Sequence, residues 1–183
     1  MAGWMALRLA FLLGLGTLAC FSAVVSAAHG SRSSVVSTRI PALPRASVLA
    51  TGRCPIPRRF RPAFTHAAAD TGLQLSMLVA VAQVESRFDA TARSAADARG
   101  LLQVMPTTAS ELRLNPNEPF SNVLAGARYL RLMLNRFGRT DLALAAYNAG
   151  PTVVGELGRA PSSETQTYIA NVQARWAALA GCS

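Results

Sequence analysis

The apolar run LVAVAQVES, residues 78–86, ends in a single carboxylate, Glu85. Almost every position of the longer stretch Leu75–Phe88 is apolar, which predicts a helix buried at the centre of a domain. The chain has only nine acidic residues, so a carboxyl group at the end of such a helix is conspicuous. Burial disfavours the charged form, which would let Glu85 keep its proton near neutral pH and act as a general acid. The alternative is a partly exposed glutamate paired with Arg87 or Arg93.

Further helices are predicted on both sides of this run. Apolar spacing, prolines and glycines place them at residues 60–72, 106–113, 121–137, 142–148 and 163–179. Ser121 or Asn122 is the expected cap of the 121–137 helix, and Ser163, with Gln166 three residues later, that of the last helix. Residues 89–104 form an irregular connection with room for a short β-like stretch between Arg93 and Val104. These patterns predict a mainly α domain.

Four further segments follow Glu85 in a distinctive order. They are GLLQVMPTTA at residues 100–109, the set Asn122, Gly126, Tyr129 and Leu130, AAYNAGP at residues 145–151, and Glu164-Thr165 with Tyr168. With this order and spacing the chain resembles the soluble lytic transglycosylase (SLT) domain family over roughly residues 60–178. The resemblance implies a single compact α+β lysozyme-like domain, mainly helical, with a small irregular β-like stretch and a groove for peptidoglycan.

The resemblance also implies a mechanism with one carboxylate, Glu85, acting first as acid and then as base. The bond between N-acetylmuramic acid and N-acetylglucosamine would break without water and leave a 1,6-anhydromuramyl end. The substrate's N-acetyl group would replace the second carboxylate that most glycosidases use. Asp89 and Asp97 follow Glu85, but neither matches a motif position. Asp89 is expected to make a local turn bond, and Asp97 stands where the family usually has glycine.

Six further residues receive substrate-binding roles from the same resemblance: Ser86, Gln103, Met105, Tyr147, Glu164 and Tyr168. Ser86 would orient the region of the acid or the N-acetyl group, and Gln103 would offer its amide to a sugar. Tyr147 would hydrogen-bond either the acid or the substrate. Ordinary core packing is the alternative for Met105 and for Tyr129. Asn148 is expected to fix the backbone at the end of its helix.

The charge of the chain is strongly positive, at +9, and all eighteen basic residues are arginines. Such a surface favours anionic partners, and the anionic bacterial wall polymer fits as well as nucleic acid does. No nucleic-acid motif is present, so peptidoglycan glycan strands are the expected partner and nucleic acid is not. His29 and His66 are isolated and no cysteine spacing suits zinc, so neither a metal nor a cofactor is expected.

The N-terminus has the features of an export signal. Arg8 precedes an apolar core, and small residues near Ala28 suit cleavage, so residues 1–28 are predicted to be a signal peptide. A retained membrane anchor is the alternative, and Cys20 lies in a poor lipobox. Residues 29–52 are predicted to be a flexible linker and residues 53–183 the domain. The mature protein is expected in the periplasm or the outer cell wall, as a monomer without stable membrane insertion.

Two cysteines, Cys54 and Cys182, remain after signal cleavage and bracket the domain. An even cysteine count in an exported chain predicts a disulfide bond. Two free thiols are the alternative. A disulfide here would require the two ends of the domain to meet.

Two other functions remain open at the level of sequence. A muramidase would hydrolyse the same glycosidic bond, and it differs only in which oxygen reaches C1. A non-catalytic peptidoglycan-binding module would keep the fold and lose the chemistry, but Glu85, Gln103, Tyr147 and Glu164 are all present.

Overall fold

The structure, a computed structural model, describes residues 52–183. The predicted signal peptide, Cys20, and the predicted linker up to residue 51 lie outside the described residues. A short 3₁₀ turn comes first in the described part. It is followed by α1 (Arg61–Thr71), α2 (Leu75–Glu85), α3 (Pro106–Glu111), α4 (Pro119–Phe137), α5 (Thr140–Ala149), α6 (Pro151–Leu157) and α7 (Ser163–Ala178).

Helix α2 is the buried centre, as its composition predicts. Every residue from Ser76 to Ala82 is buried, and the helix packs against α1 and α7. The helix ends at Glu85, three residues before the predicted end. Arg87 and Phe88 have φ values of 53° and 65°, which an α-helix cannot contain. The chain therefore turns away directly after the carboxylate, and Glu85 lies at the helix terminus.

The connection between α2 and α3 carries the β-like structure expected there. Isolated antiparallel bridges join Arg93 to Arg99 and Arg99 to Val104, within the predicted limits. Asp97 has a φ of 70°, a left-handed conformation in which glycine is more usual. The residue that stands here in place of the glycine implied by the resemblance thus still adopts the turn.

The predicted cap of α4 is wrong. Glu118 caps the helix, and its carboxylate accepts hydrogen bonds from the amides of Phe120 and Ser121. Helix α4 starts at Pro119 because proline suits the first helical turn, where its missing N–H is not needed. Asn122 consequently lies inside the helix and is buried.

Two corrections apply to the C-terminal third. Helix α6, which begins at Pro151, was not predicted by the sequence patterns. Ser162 rather than Ser163 caps α7, since its hydroxyl accepts a hydrogen bond from the Thr165 amide over 3.1 Å. Val172 of α7 points inward and is fully buried.

The two ends of the described chain meet, and the disulfide prediction is confirmed. Cys54 and Cys182 are bonded, with their Cα atoms 4.8 Å apart. The Cys54 amide also donates to the carbonyl of Ser183 over 3.2 Å. No helix among residues 52–183 has the length and apolar character needed to cross a bilayer.

Candidate active site

Glu85 has one side-chain partner within the described residues, the hydroxyl of Tyr168. Tyr168 Oη donates to Glu85 Oε1 over 2.7 Å, from α7 to the end of α2. No ion pair involves Glu85 among residues 52–183. Arg93 instead pairs with Asp97, its Nε lying 3.3 Å from Oδ1. Glu85 is half-buried, and the pairing with Arg87 or Arg93 that was the alternative is wrong.

The surroundings of Glu85 raise its pKa from 4.5 to about 7. Burial is the main cause, because it removes water from the charged form. The hydrogen bond from Tyr168 acts in the opposite direction by stabilising the carboxylate. At neutral pH the carboxyl group therefore exists in both protonation states, which suits a group that must donate and then accept a proton.

Tyr147 lies close to this carboxyl group without bonding to it. Its hydroxyl donates to the carbonyl of Leu102 over 2.7 Å. The pKa of Tyr147 is raised well above its usual value, first by burial and then by the negative charge of Glu85. Of the two bonds considered for Tyr147 from sequence, the one to Glu85 is made by Tyr168 instead.

Ser86 and Gln103 are tied to the connection between α2 and α3. Ser86 Oγ donates to the carbonyl of Leu101 over 2.8 Å. Gln103 has a φ of 45°, and its Nε2 donates to the carbonyls of Ala92 and Gly100 over 3.2 and 3.0 Å. The amide hydrogens of Gln103 are thus used by the protein itself, which leaves its carbonyl Oε1 for a ligand.

A cleft of about 240 Å³ opens beside these residues. Three of the residues predicted from the sequence to bind substrate line it: Gln103, Met105 and Tyr147. The side chains added by the fold include Thr108 and Tyr129. Met105 is 38% exposed, so it is a surface residue of the cleft. The rings of Tyr129 and Tyr147 lie 5.4 Å apart. Core packing was the alternative for Tyr129, and its place near Gly126 in the motif series was the one sequence signal for a position in the cleft.

The two residues of the Glu-Thr pair at the start of α7 lie in different environments. Glu164 is exposed and makes no side-chain hydrogen bond within the described part of the chain. Thr165 is 3% exposed, and its hydroxyl donates to Asn148 Oδ1 over 3.0 Å. This bond ties the end of α5 to α7 and positions Tyr168 one turn further on. Tyr168 therefore joins the site, whereas Glu164 lies in the first turn of α7 at the surface.

The connection that follows Glu85 contains two carboxylates, Asp89 and Asp97, and both have local partners. Asp89 Oδ1 accepts from the amide and hydroxyl of Thr91 over 2.8 and 2.7 Å, which is the local turn bond expected for it. Asp97 pairs with Arg99 over 2.8 Å. These bonds lower the pKa of both aspartates, so both are ionised at neutral pH. Neither makes a hydrogen bond with Glu85.

Comparison with known proteins gives a consistent picture. The family model described as "Transglycosylase SLT domain" matches residues 62–169. A membrane-bound lytic murein transglycosylase F 2 of Alkalilimnicola ehrlichii is 36% identical over 100 residues, which cover 50% of this chain and 22% of the relative. The soluble lytic murein transglycosylase of Salmonella typhimurium is 31% identical over 144 residues, 64% of this chain and 22% of the relative.

The solved structures include a similar fold. The lytic transglycosylase Slt of Pseudomonas aeruginosa, solved as an inactive glutamate-to-glutamine mutant, superposes with a TM-score of 0.59 at 30% identity. The match covers 67% of this chain and 25% of that protein. The mainly α, lysozyme-like fold is thereby confirmed. The chain spans about a quarter or less of the length of these relatives.

Proposed function

The chain belongs to the Transglycosylase SLT domain family, and on that premise we propose that it is a peptidoglycan lytic transglycosylase. The observation that carries the proposal is the Glu85 carboxyl group. It is held at the end of a buried helix with a pKa of about 7 and is bonded to Tyr168, and its charge acts on Tyr147, which lines the cleft. Relatives with this domain are named lytic murein transglycosylases.

In the first step, protonated Glu85 donates its proton to the oxygen that links N-acetylmuramic acid to N-acetylglucosamine. The bond from C1 to that oxygen breaks, and N-acetylglucosamine leaves with a hydroxyl group. Positive charge develops on the muramyl ring, and the substrate's own N-acetyl group stabilises it in place of a second carboxylate. Asp89 and Asp97 are occupied by Thr91 and by arginines, which fits this assignment.

In the second step, Glu85 is a carboxylate and acts as the base. It removes the proton from the muramyl C6 hydroxyl, whose oxygen forms the new bond to C1. A 1,6-anhydromuramyl end results, no water is consumed, and Glu85 regains its proton. The Tyr168 hydroxyl supports this step because it donates to the carboxylate and stabilises the charged form between the two transfers.

The cleft supplies the contacts for the sugar rings. Gln103 presents its free carbonyl oxygen, Met105 gives apolar surface, and the half-buried Tyr147 limits how a ring approaches Glu85. Ser86 orients the end of α2 through its bond to the Leu101 carbonyl. Exposed Glu164 is proposed to meet a polar group of the glycan farther along the strand.

Two measurements test the activity. Glu85→Gln keeps the shape of the side chain but cannot transfer a proton, and we expect a rate loss of at least about 10²–10⁴-fold. Glu156→Gln, at an exposed position of α6, is the matched control. Appreciable turnover by folded Glu85→Gln protein would remove Glu85 from the reaction. The glutamate-to-glutamine mutant of the Pseudomonas relative is inactive, which supports the expectation.

Mass analysis of digested wall separates the proposed reaction from hydrolysis. A 1,6-anhydromuramyl product is lighter by one water than the reducing end that a muramidase leaves. Reducing ends as the main product would establish a muramidase instead. Binding to wall without cleavage, in protein whose fold and disulfide are verified, would establish a non-catalytic module.

The site of action is proposed from the predicted signal peptide and the disulfide. Export removes residues 1–28 and places a monomeric domain in the periplasm or outer wall, where oxidising conditions allow Cys54 and Cys182 to pair. The excess of arginine favours contact with the anionic wall. N-terminal sequencing of the mature protein checks this, and an intact N-terminus on membrane-bound protein would favour a retained anchor.

A further inference from the structure

The buried side chain of Asn122 binds backbone groups of the connection between α2 and α3 and of Pro116. Its side chain on α4 is 1% exposed and makes three hydrogen bonds. The amide of Leu102 donates to Oδ1 over 2.9 Å, while Nδ2 donates to the carbonyls of Arg99 and Pro116 over 2.6 and 2.9 Å. A carboxamide has two N–H groups and one carbonyl, so every polar group of Asn122 is engaged. A hydroxyl or carboxylate of similar size cannot make this set of bonds.

Two of these bonds, to Arg99 and to Leu102, fix the segment Gly100–Gln103, which presents two carbonyls to the active site. The Leu101 carbonyl accepts from Ser86, the residue that follows the proposed acid. The Leu102 carbonyl accepts from the Tyr147 hydroxyl. A shift of this segment would therefore move the acceptors of two site residues together.

Two glycines allow α4 and the segment to approach so closely. A Cβ atom on Gly100, whose φ is 72°, would lie 2.6 Å from Asn122 Nδ2. A Cβ atom on Gly126, one turn along α4, would lie 2.5 Å from Leu102 Cβ and 2.9 Å from the Tyr147 hydroxyl oxygen. Asn122 and Gly126 are on one face of α4, and that face fixes Leu102 at its amide and at its side chain.

We propose that Asn122 is a positioning residue of the active site, which sets the places of Glu85 and Tyr147 by fixing the segment Gly100–Gln103. Asn122 does not line the cleft, so it acts without touching the glycan. The role assigned to Asn122 rests on the proposed function, because it matters only if Glu85 transfers protons.

The variant Asn122→Ser removes at least two of the three bonds and tests the role by kinetics. Displacement of catalytic groups by about 1 Å can cost about 10²-fold in rate. We expect kcat to fall about 10²-fold while KM for glycan strands stays close to the wild-type value. Met133→Ala, a buried position of the same helix in the other core cluster, is matched for loss of stability. Equal kcat in both variants, assayed well below their Tm, would overturn the proposal.

A double mutant tests whether Asn122 affects kcat through the Leu102 carbonyl. If Asn122 acts through the Leu102 carbonyl, the losses of kcat from Asn122→Ser and from Tyr147→Phe overlap, and the double mutant loses less than their product. Losses that multiply fully would show that Asn122 does not act through this carbonyl. Should Asn122→Ser fail to fold, Asn122→Asp keeps the acceptor for the Leu102 amide, loses at least one of the two donated bonds, and is tested for the same kcat loss.

Titration of the Glu85 carboxyl group by ¹³C NMR gives a reading that does not depend on activity. A loosened segment admits water to Glu85, so its pKa in Asn122→Ser should fall from about 7 towards 4.5. An unchanged pKa together with unchanged kcat would overturn the proposal. A wild-type protein that fails to cleave wall would refute the proposed function, while this titration would still decide whether Asn122 controls the environment of Glu85.

Discussion

At the scale of single residues, the burial that suits Glu85 for proton transfer also makes the fold less stable at high pH. Below pH 4.5 the carboxyl group is protonated in both the folded and unfolded states and has no effect. Between pH 4.5 and about 7 the unfolded chain loses this proton first, so the free energy of unfolding falls as pH rises. Above about pH 7 the free energy of unfolding is lowered by the full amount.

Glu85→Gln should therefore stabilise the protein at pH 8. A pKa raised from 4.5 to about 7 corresponds to at most about 3 kcal/mol. We expect the mutant to exceed the wild type by up to this amount at pH 8 and to match it at pH 4. Denaturant unfolding at both pH values measures the difference. A constant difference across this range would mean that Glu85 titrates normally, whereas Glu156→Gln should show no such trend.

Tyr147 should matter more for the reaction than for stability. Tyr147→Phe removes the bond to the Leu102 carbonyl and keeps the ring, which should cost about 1 kcal/mol in the free energy of unfolding. Activity should fall more than this cost suggests, because the hydroxyl fixes geometry next to Glu85. Melting temperature and turnover are measured on the same purified mutant. Wild-type turnover with a lowered melting temperature would assign Tyr147 to the core.

At the scale of secondary-structure elements, caps fix where helices begin, and side-chain bonds between helices hold them in place at the site. The hydroxyl of Ser162 accepts from the Thr165 amide, and Thr165 in turn bonds Asn148 on α5. Helix α7 is thus fixed at its start, one turn before Tyr168.

Ser162→Ala should lower the free energy of unfolding by about 1 kcal/mol through loss of the N-cap. Ser163→Ala is the matched control, since this neighbouring serine is exposed and inside the helix. We expect the control to stay close to the wild type in thermal unfolding. Equal losses in the two variants would show that the cap is not confined to Ser162.

At the scale of the whole molecule, the disulfide closes the domain on itself. The bond between Cys54 and Cys182 joins residues 128 positions apart. On the chain-entropy model such a loop contributes about 4–5 kcal/mol by restricting the unfolded chain. We expect Cys54→Ser/Cys182→Ser to lose stability of this order while keeping the fold at low temperature.

Free-thiol titration of denatured, non-reduced mature protein gives a direct check of the bond. Two reactive thiols in wild-type protein would contradict the disulfide. Unfolding of the double serine mutant, compared with wild type under reducing and oxidising conditions, separates the loss of the bond from the loss of cysteine packing. Equal stability of wild type under both conditions would show that the bond contributes nothing.

The sequence by itself determined the features that depend on composition and local spacing. The apolar stretch from Leu75 onward predicted a buried helix, the rarity of acids made Glu85 conspicuous, and the motif series after it favoured a role as the acid. The even cysteine count predicted the Cys54–Cys182 disulfide. Proline and glycine signals placed most helices to within a few residues, because these residues constrain φ locally whatever the surroundings.

Only the tertiary structure decided which distant groups meet. Tyr168 and Glu85 are 83 residues apart, and their hydrogen bond depends on how α2 and α7 pack. The role of Asn122 likewise appears only when α4 lies against the segment Gly100–Gln103. Local signals also did not show which of two neighbouring serines, Ser162 or Ser163, caps α7. Sequence spacing fixes the face of a helix, but the distance between two helices follows from the packing of the whole core.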